Sequence, residues 1–229
     1  MKCLLCDKIN DDFFELQELF SLKPLRESSI CQDCENQFLP ISPICCCGQC
    51  GRSLQKPERY CGDCIRRNKI ENFVVVNRSL YKYNSAMKNF MKRYKFLGDF
   101  RLRKVFLKKF QTYIKNKIDH EIIVPIPVSN ETYKSRGFNQ VTGLIQDLNY
   151  QNVLRIKHDF KKSQSEKNRN QRIQTSQPFI IEDQFQQAIN GKKVLLIDDV
   201  YTTGTTIYHA ARVLKAAGVL KVASITLAR

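Results

Sequence analysis

The clearest hydrophobic pattern lies near the carboxyl-terminal end of the chain. Residues 194–197 form a run of four apolar side chains, typical of a central parallel strand that is covered on both faces. After Thr205, apolar residues recur at helical spacing, at Ile207, Ala210, Ala211 and Leu214. The pattern therefore predicts strand, loop and helix in succession. A second apolar strand is predicted at residues 122–127, where it runs into a turn fixed by proline.

A different apolar pattern runs through residues 66–115. Two stretches there place apolar side chains three or four residues apart, as the core-facing side of a helix requires. These side chains are Met87, Phe90, Met91 and Tyr94 in the first stretch, and Leu102, Val105, Phe106 and Phe110 in the second. We therefore predict a helical segment whose rings are mostly in the core and whose lysines and arginines point outward.

Composition narrows the class of protein. The chain has 229 residues and is 42% hydrophobic, enough to bury a core, so wholesale disorder and a fibrous repeat are excluded. No apolar run approaches the roughly 20 residues that span a bilayer, and the amino-terminal residues lack the apolar stretch of a signal peptide. We expect no membrane span and a cytoplasmic location, or one at the inner face of the membrane through partners.

The cysteines divide the chain into two parts. All ten lie before residue 65, so we predict a cysteine-rich module at residues 1–65 and a globular domain at residues 66–229. In a reducing compartment, paired thiols bind metal more often than they form disulfides. Each of four Cys-x-x-Cys units places two thiolates on one turn, and two such units complete a tetrahedral zinc site with Zn–S distances of ~2.3 Å.

The spacing predicts two structural Zn²⁺ ions, each closed by four thiolates and therefore without a catalytic role. The ligands are Cys3, Cys6, Cys31, Cys34, Cys47, Cys50, Cys61 and Cys64. A short hairpin joins the two units of the second site, whereas the first site spans a longer stretch that includes the amphipathic residues 13–22. Spacing favours Cys47 and leaves its neighbours Cys45 and Cys46 as alternatives. A redox dithiol is disfavoured because none of the units follows a strand of an α/β unit.

Charge is concentrated in the helical segment. Residues 66–115 contain fifteen Lys or Arg residues and only two acids, in a chain whose formal net charge is +16. A surface of one sign repels itself and attracts polyanions, so we predict single-stranded DNA binding, with a solvated surface as the alternative. Lysine and arginine side chains would bind the phosphates of the DNA backbone, and an exposed aromatic side chain would stack on a nucleobase. The predicted DNA-binding residues are Lys88, Lys92, Arg93, Lys95 and Tyr81, with Tyr83 as the alternative ring.

The loop between the predicted strand and helix near residue 200 carries unusual chemistry. Asp198 and Asp199 stand at the carboxyl end of the strand, and hydroxyl side chains surround a glycine where the helix begins. A helix start offers unpaired N–H groups to a phosphate, whereas carboxylates suit ribose hydroxyls. The predicted phosphate-binding residues are Tyr201, Thr202, Thr203, Gly204, Thr205 and Thr206. A Walker loop is excluded because its Gly-x4-Gly-Lys-Ser/Thr motif is not present in the sequence.

Residues 193–206 (KVLLIDDVYTTGTT) resemble the signature of type I phosphoribosyltransferases, which bind phosphoribosyl pyrophosphate (PRPP). The resemblance implies an α/β fold, a doubly wound parallel sheet of that type, with the cysteine-rich module as a small amino-terminal zinc ribbon. It also implies that Asp198 and Asp199 act as the catalytic acids on the ribose. Mg²⁺ would bind with PRPP, between ribose and pyrophosphate oxygens.

Further motifs resemble the ComF family, whose members combine a zinc ribbon with a phosphoribosyltransferase-like domain and serve natural competence for DNA uptake in bacteria. The motifs are residues 94–99 (YKFLGD), 122–127, 133–140 (YKSRGFNQ) and 224–229 (SITLAR). The resemblance implies that residues 133–140 open a helix and that Lys134 and Arg136 contact pyrophosphate. Residues 157–177 would form a mobile loop over the ligand. Gln164 and Arg172 match the family there, whereas Thr175 replaces the family's Asn.

Three functions are compatible with these features. We expect a competence protein of natural transformation with a PRPP site and a single-stranded DNA surface. One alternative is an active phosphoribosyltransferase of nucleobase or nucleotide metabolism, although the sequence has no ordinary base-recognition hood. Another is an adaptor whose zinc ribbon docks a competence helicase-like ATPase, the partner that the resemblance implies.

Overall fold

The computed structural model describes residues 2–9, 29–42, 44–54, 59–157 and 177–229. The amphipathic residues 13–22 and all but the ends of the predicted loop 157–177, with Gln164, Arg172 and Thr175, lie outside these ranges. Within the described ranges, no helix is both long enough and apolar enough to cross a membrane.

The strands are β1 (Val76–Tyr81), β2 (Ile122–Pro125), β3 (Leu154–Ile156), β4 (Phe179–Ile181), β5 (Lys193–Val200) and β6 (Lys221–Ala228). Four of them form a parallel sheet in the order β1-β6-β5-β2, and β3 pairs with β4 in a separate antiparallel ribbon. The two strands predicted from apolar runs are β2 and β5. Because β5 is flanked on both sides, its apolar residues 194–197 are fully buried.

The helices are α1 (Gln32–Glu35), α2 (Gly62–Asn68), α3 (Ser85–Phe96), α4 (Arg103–Lys117), α5 (Asn130–Arg136), α6 (Gln140–Leu144), α7 (Gln186–Ile189) and α8 (Thr205–Ala216). Short 3-10 turns lie at Phe100–Leu102 and Asp183–Phe185. The apolar stripes predicted in residues 66–115 form the buried faces of α3 and of the turn and helix α4. The side chain of Asn84 caps α3 by accepting a hydrogen bond from the Met87 N–H at 3.0 Å.

Two expectations about local structure are wrong. Residues 133–140 do not open one helix, because α5 ends at Arg136 and Gly137 adopts a left-handed conformation (φ 79°) before α6 begins. The basic segment is also not wholly helical, since β1 lies within it and forms an edge of the parallel sheet.

Helices cover both faces of the sheet, as a doubly wound fold requires. Side chains of α3, α4 and α6 form one core on the first face, and side chains of α8 and the β3–β4 ribbon form a second core on the other. The expected fold class, a phosphoribosyltransferase-like α/β domain with a parallel sheet, is confirmed.

The cysteine-rich module belongs to both cores. Cys3 and Cys34 lie in the first core, whereas Cys47, Cys50, Cys61 and Cys64 lie in the second. The phenyl ring of Phe38 packs edge-on against Phe106, with ring centroids 4.9 Å apart. Helix α2 runs to Asn68 and so continues past residue 66, the boundary that composition predicts. The module therefore packs against the sheet and shares its hydrophobic cores.

Candidate functional site

Two carboxylates lie side by side at the carboxyl end of β5. Asp198 is 8% exposed and Asp199 is 4% exposed. The Asp199 N–H donates to Oδ1 of Asp198 at 2.8 Å, which holds the first carboxylate against the strand. Burial raises the pKa of Asp198 well above its usual range, and the negative charge of Asp199 raises it further. The carboxyl ends of parallel strands are where α/β sheets bind ligands, so these acids occupy the expected edge.

Lys95 reaches this acid pair from α3. Its Nζ lies 2.7 Å from Oδ2 of Asp199, and its side chain is only 19% exposed. A buried carboxylate pair without a cation is costly, so Lys95 stabilises the charge on Asp199. Lys95 was predicted instead to contact a DNA phosphate, because nothing in the helical pattern indicates that α3 points one lysine at β5.

The loop after β5 has a buried support and an exposed rim. The backbone of Gly204 is left-handed (φ 82°), and a Cβ at that position would overlap the hydroxyl of the buried Tyr201. Tyr201 therefore supports the loop from beneath. The four threonines 202, 203, 205 and 206 are exposed, and Oγ1 of Thr203 lies 2.9 Å from Oγ1 of Thr205. The N–H groups at the start of α8 and the exposed hydroxyls together suit a phosphate.

Lys134 and Arg136 lie on α5, which follows the turn after β2. The Ile126 N–H donates to the Ile197 carbonyl at 2.9 Å, so this turn leaves the sheet beside β5. Lys134 is exposed, while Arg136 donates from Nη1 to Oε1 of Gln140 at 2.7 Å. The Arg136 guanidinium also lies 5.5 Å from the ring centroid of Phe96, at the end of the helix that carries Lys95. The contact of Lys134 and Arg136 with pyrophosphate stays a prediction.

The zinc-ribbon module touches the phosphate loop, which the sequence did not indicate. Arg67 of α2 donates from Nη2 to the Thr203 carbonyl at 2.9 Å, and its guanidinium lies 4.4 Å from the ring centroid of Tyr208. The Tyr208 hydroxyl in turn accepts from Nε2 of Gln49 at 2.8 Å. Gln49 stands between Cys47 and Cys50, so the second cysteine group is connected by direct hydrogen bonds to α8.

Both predicted cysteine groups are present, and each brings its four sulfurs within 4.8 Å of one another. Cys47 belongs to the second group, whereas Cys45 and Cys46 belong to neither among the described residues. The sulfurs of Cys47 and Cys64 are 3.7 Å apart, and those of Cys50 and Cys61 are 3.6 Å apart. A tetrahedron with Zn–S bonds of ~2.3 Å has edges of about 3.8 Å, so both groups could bind zinc.

Backbone donors favour the thiolate form of Cys47 in the second group. The Cys61 N–H lies 3.3 Å from Sγ of Cys47. Burial raises the pKa of the Cys47 thiol, but hydrogen bonds from the backbone at Cys50, Cys61 and Gln49 outweigh it and lower the pKa to about 7. These contacts are of the kind that zinc knuckles use to hold deprotonated ligands.

The predicted DNA-binding residues are only partly on the surface. Tyr81 is buried against Phe38 and Phe106, so the expectation that it offers an exposed ring is wrong. Arg93 is half-buried and donates to the carbonyls of Leu4 and Leu5, both at 2.9 Å.

Lys88 and Lys92 are exposed on α3, as expected. One turn beyond Lys92 lies Phe96, whose side chain is 73% exposed and which is not among the predicted DNA-binding residues. The helical spacing of Lys88, Lys92 and Phe96 places these three residues along one line of the α3 surface, which we call the α3 stripe.

The fold and the loop after β5 define a phosphoribosyl transferase domain, and the family model of that name matches residues 101–229. Lys95 and β1 lie outside the matched range. The whole chain is 36% identical over 229 residues to Competence protein ComFC of Streptococcus pneumoniae, with all of both proteins covered. It is 35% identical over 236 residues to Competence protein ComFC of Bacillus subtilis, covering 99% of this chain and 94% of that one. The chain therefore belongs to the ComFC family of competence proteins.

Two more distant similarities complete the comparison. Competence protein F of Haemophilus influenzae is 25% identical over 220 residues, which cover 90% of this chain and 92% of that protein. A solved structure of the allosteric regulatory enzyme of purine biosynthesis aligns with a TM-score of 0.37 and 16% identity. That alignment covers 60% of this chain and 30% of the enzyme.

Proposed function

We propose that this competence protein binds PRPP, together with Mg²⁺, at the carboxyl end of β5. The observation that carries the proposal is the position of two buried acids directly before an exposed threonine loop. The threonine hydroxyls and the first N–H groups of α8 would hold the 5′-phosphate, and Asp198 and Asp199 would accept hydrogen bonds from the ribose hydroxyls. When bound, Mg²⁺ would neutralise charge between the ribose and the pyrophosphate.

Lys95 extends the site beyond the matched domain. The ligand is a polyanion, and two uncompensated carboxylates would repel it. The ion pair between Lys95 and Asp199 lowers that repulsion before the ligand arrives. Lys134 and Arg136 would add positive charge on the pyrophosphate side, where α5 follows the turn after β2.

Calorimetric titration with PRPP and Mg²⁺ tests the site. A charged hydrogen bond from Asp199 would contribute about 1.5–3 kcal/mol and a neutral one from the protonated Asp198 about 0.5–1.5 kcal/mol, so replacing both by Asp198→Ala and Asp199→Ala should weaken binding at least about 30-fold. The matched control replaces Asp119 and Glu121, two exposed acids at the opposite edge of the sheet, by alanine. The control should bind as the parent does. Unchanged affinity in the first double variant would refute the assignment.

We also propose that the α3 stripe binds single-stranded DNA without strong sequence preference. Lys88 and Lys92 would contact phosphates, and Phe96 would stack on a base in place of the buried Tyr81. The Arg136 guanidinium near the Phe96 ring adds positive charge where the stacked base would lie. Because Lys95 precedes Phe96 on the same helix, the stripe ends beside the acid pair.

Salt dependence separates charge from stacking on this surface. Log affinity for oligothymidylate should fall linearly with log salt, by about 0.7 per neutralised phosphate, so Lys88→Gln with Lys92→Gln should reduce the slope by about 1.4. Phe96→Ala should weaken binding by about 1–3 kcal/mol and leave the slope unchanged. The control is Lys117→Gln with Lys221→Gln, two exposed lysines at the far edge of the sheet. If both double variants behaved alike, the stripe would not be the DNA surface.

A further inference from the structure

A second cleft opens beside the phosphate loop and has no role in the functions proposed above. It has a volume of about 510 Å³ and lies at the carboxyl ends of β1, β6 and β5. Its walls are residues 51–53 of the zinc-ribbon module, residues 82–84 after β1, and Tyr201 and Thr202 of the phosphate loop, with Arg229 at its base. We call it the ribbon cleft. Its position matches the sheet edge at which α/β proteins bind ligands.

Three cationic side chains, and no Asp or Glu side chain among the described residues, line the ribbon cleft. Arg52, Lys82 and Arg229 each contribute to its walls. Arg52 forms an ion pair with Asp63, whereas Lys82 and the Arg229 guanidinium have no carboxylate partner among the described residues. Nη1 of Arg229 is buried and has no hydrogen-bond acceptor within the described part of the chain. A buried donor without an acceptor is unfavourable, so the Arg229 guanidinium at the bottom of the cleft suits an anionic ligand.

Two tyrosine rings complete the chemistry of the cleft. Tyr83 is 43% exposed, and it lines the same cleft as Lys82. The buried ring of Tyr201 lies 4.6 Å from the guanidinium of Arg229 and holds that cation in place. An exposed aromatic face beside cations is the arrangement that binds a nucleobase and its phosphate together.

We propose that the ribbon cleft binds a nucleotide, with its phosphate on Lys82, Arg52 and Arg229 and its base against Tyr83. The volume falls within the range of about 300–1,000 Å³ that is usual for small-ligand sites. Thr202 lines the cleft and also belongs to the phosphate loop, so the nucleotide would lie beside the ribose phosphate. This placement rests on the proposed PRPP site. The nucleotide is either free or the phosphorylated end of a DNA strand, and both present the same chemistry.

Binding of thymidine monophosphate, and of short oligothymidylates with and without a 5′-phosphate, tests the proposal. Removing one charged hydrogen bond costs about 1.5–3 kcal/mol, so Lys82→Gln should weaken nucleotide binding about tenfold or more. Tyr83→Leu should weaken it as well, whereas the control Lys117→Gln, on an exposed lysine at the far edge of the sheet, should not. Saturable binding of the monophosphate would identify the ligand as a free nucleotide. Higher affinity for the 5′-phosphorylated strand than for the unphosphorylated strand, without binding of the monophosphate, would identify it as a strand end.

The proposal is overturned if the parent binds neither the monophosphate nor the 5′-phosphorylated oligothymidylate, or if Lys82→Gln and Tyr83→Leu bind these two probes as the parent does. PRPP titration of the same variants separates this result from the PRPP proposal. PRPP affinity should be unchanged in Lys82→Gln, because this lysine has no contact with Asp198 or Asp199. Loss of PRPP binding in the Asp198 and Asp199 double variant, with nucleotide binding intact, would show two separate subsites.

Discussion

Tyr208→Phe should destabilise the protein by removing the link between the second cysteine group and α8. The hydroxyl of the buried Tyr208 accepts hydrogen bonds from Nε2 of Gln49 at 2.8 Å and from the Val75 N–H at 3.3 Å. Gln49 keeps a bond to Asn68 at 2.9 Å, but the buried Val75 N–H has no other acceptor among the described residues. The substitution therefore removes two bonds and leaves one buried donor unpaired.

The size of the effect follows from these contacts. The lost Gln49 bond contributes about 1 kcal/mol, and the unpaired Val75 N–H costs about 1–3 kcal/mol, which gives a total of about 2–4 kcal/mol. For a chain of this length, 1 kcal/mol shifts the melting temperature by about 2–4 °C, so Tyr208→Phe should melt roughly 4–16 °C below the parent. Both side chains have nearly the same volume, so no cavity contributes.

Thermal unfolding followed by circular dichroism measures the shift. The matched control is Tyr113→Phe, because the half-buried Tyr113 hydroxyl makes one long hydrogen bond, to the Ser79 carbonyl at 3.4 Å. This control should melt less than about 4 °C below the parent, since a weak bond contributes under about 1 kcal/mol. Equal melting temperatures for the two variants would refute the argument that Tyr208 joins the zinc-ribbon module to the helix after the phosphate loop.

Three further predictions concern the loop, the acids and the metal. Gly204→Ala should destabilise the fold more than Gly191→Ala does, because both glycines have positive φ but only the first has the Tyr201 hydroxyl in the way. The raised pKa of Asp198 means that the folded protein keeps this proton to higher pH than the unfolded chain does. The free energy of unfolding should therefore fall as the pH rises above about 4, and Asp198→Asn should flatten that fall. Elemental analysis should find two zinc equivalents in the parent and in Cys45→Ser, but one in Cys50→Ser.

Each of these has a clear contrary result. Equal unfolding free energies for the two glycine variants would mean that Tyr201 does not constrain the loop. An unchanged pH profile in Asp198→Asn would assign the slope to other groups. One zinc equivalent in the parent, or two in Cys50→Ser, would contradict the assignment of eight ligands to two sites.

Local patterns in the sequence predicted the strand and helix that flank the acids and the threonine loop. Strand β5 and helix α8 are adjacent in the chain, and each has a hydrophobic pattern that is complete within about a dozen residues. The position of Asp198, Asp199 and the threonines relative to the sheet edge follows from that adjacency alone. The choice of Cys47 over Cys45 and Cys46 likewise follows from the two-residue spacing within a zinc knuckle.

Strand β1 could not be predicted because its pattern depends on a distant partner. Asn77 and Ser79 interrupt the apolar run, yet both are buried. Asn77 donates to Oγ of Ser79 and accepts from Oγ of Ser224 on β6, both at 2.9 Å, and its N–H bonds to the Gln49 carbonyl at 2.7 Å. Polar residues fit inside this strand because β6 and the zinc-ribbon module satisfy them. Neither neighbour is evident from residues 76–81 alone.

The same reason explains the corrections on α3. Helical periodicity distinguishes the buried face of a helix from its exposed face. It does not predict which other part of the chain contacts the residues at the border between the two faces. Arg93 and Lys95 both lie near that border. Arg93 donates hydrogen bonds to the carbonyls of residues 4 and 5, and Lys95 forms an ion pair with Asp199. Tyr81 is the last residue of β1, a strand inside the segment that was predicted to be helical, so its burial was visible only once β1 was placed in the sheet.

The most direct test of the central claim is a crystal structure of the protein with PRPP and Mg²⁺. We expect density for the 5′-phosphate against Thr202–Thr206 at the start of α8, and for the ribose hydroxyls within hydrogen-bond distance of Asp198 and Asp199. Ligand density confined to the ribbon cleft, or a phosphate group away from the threonine loop while the acids face solvent, would contradict it.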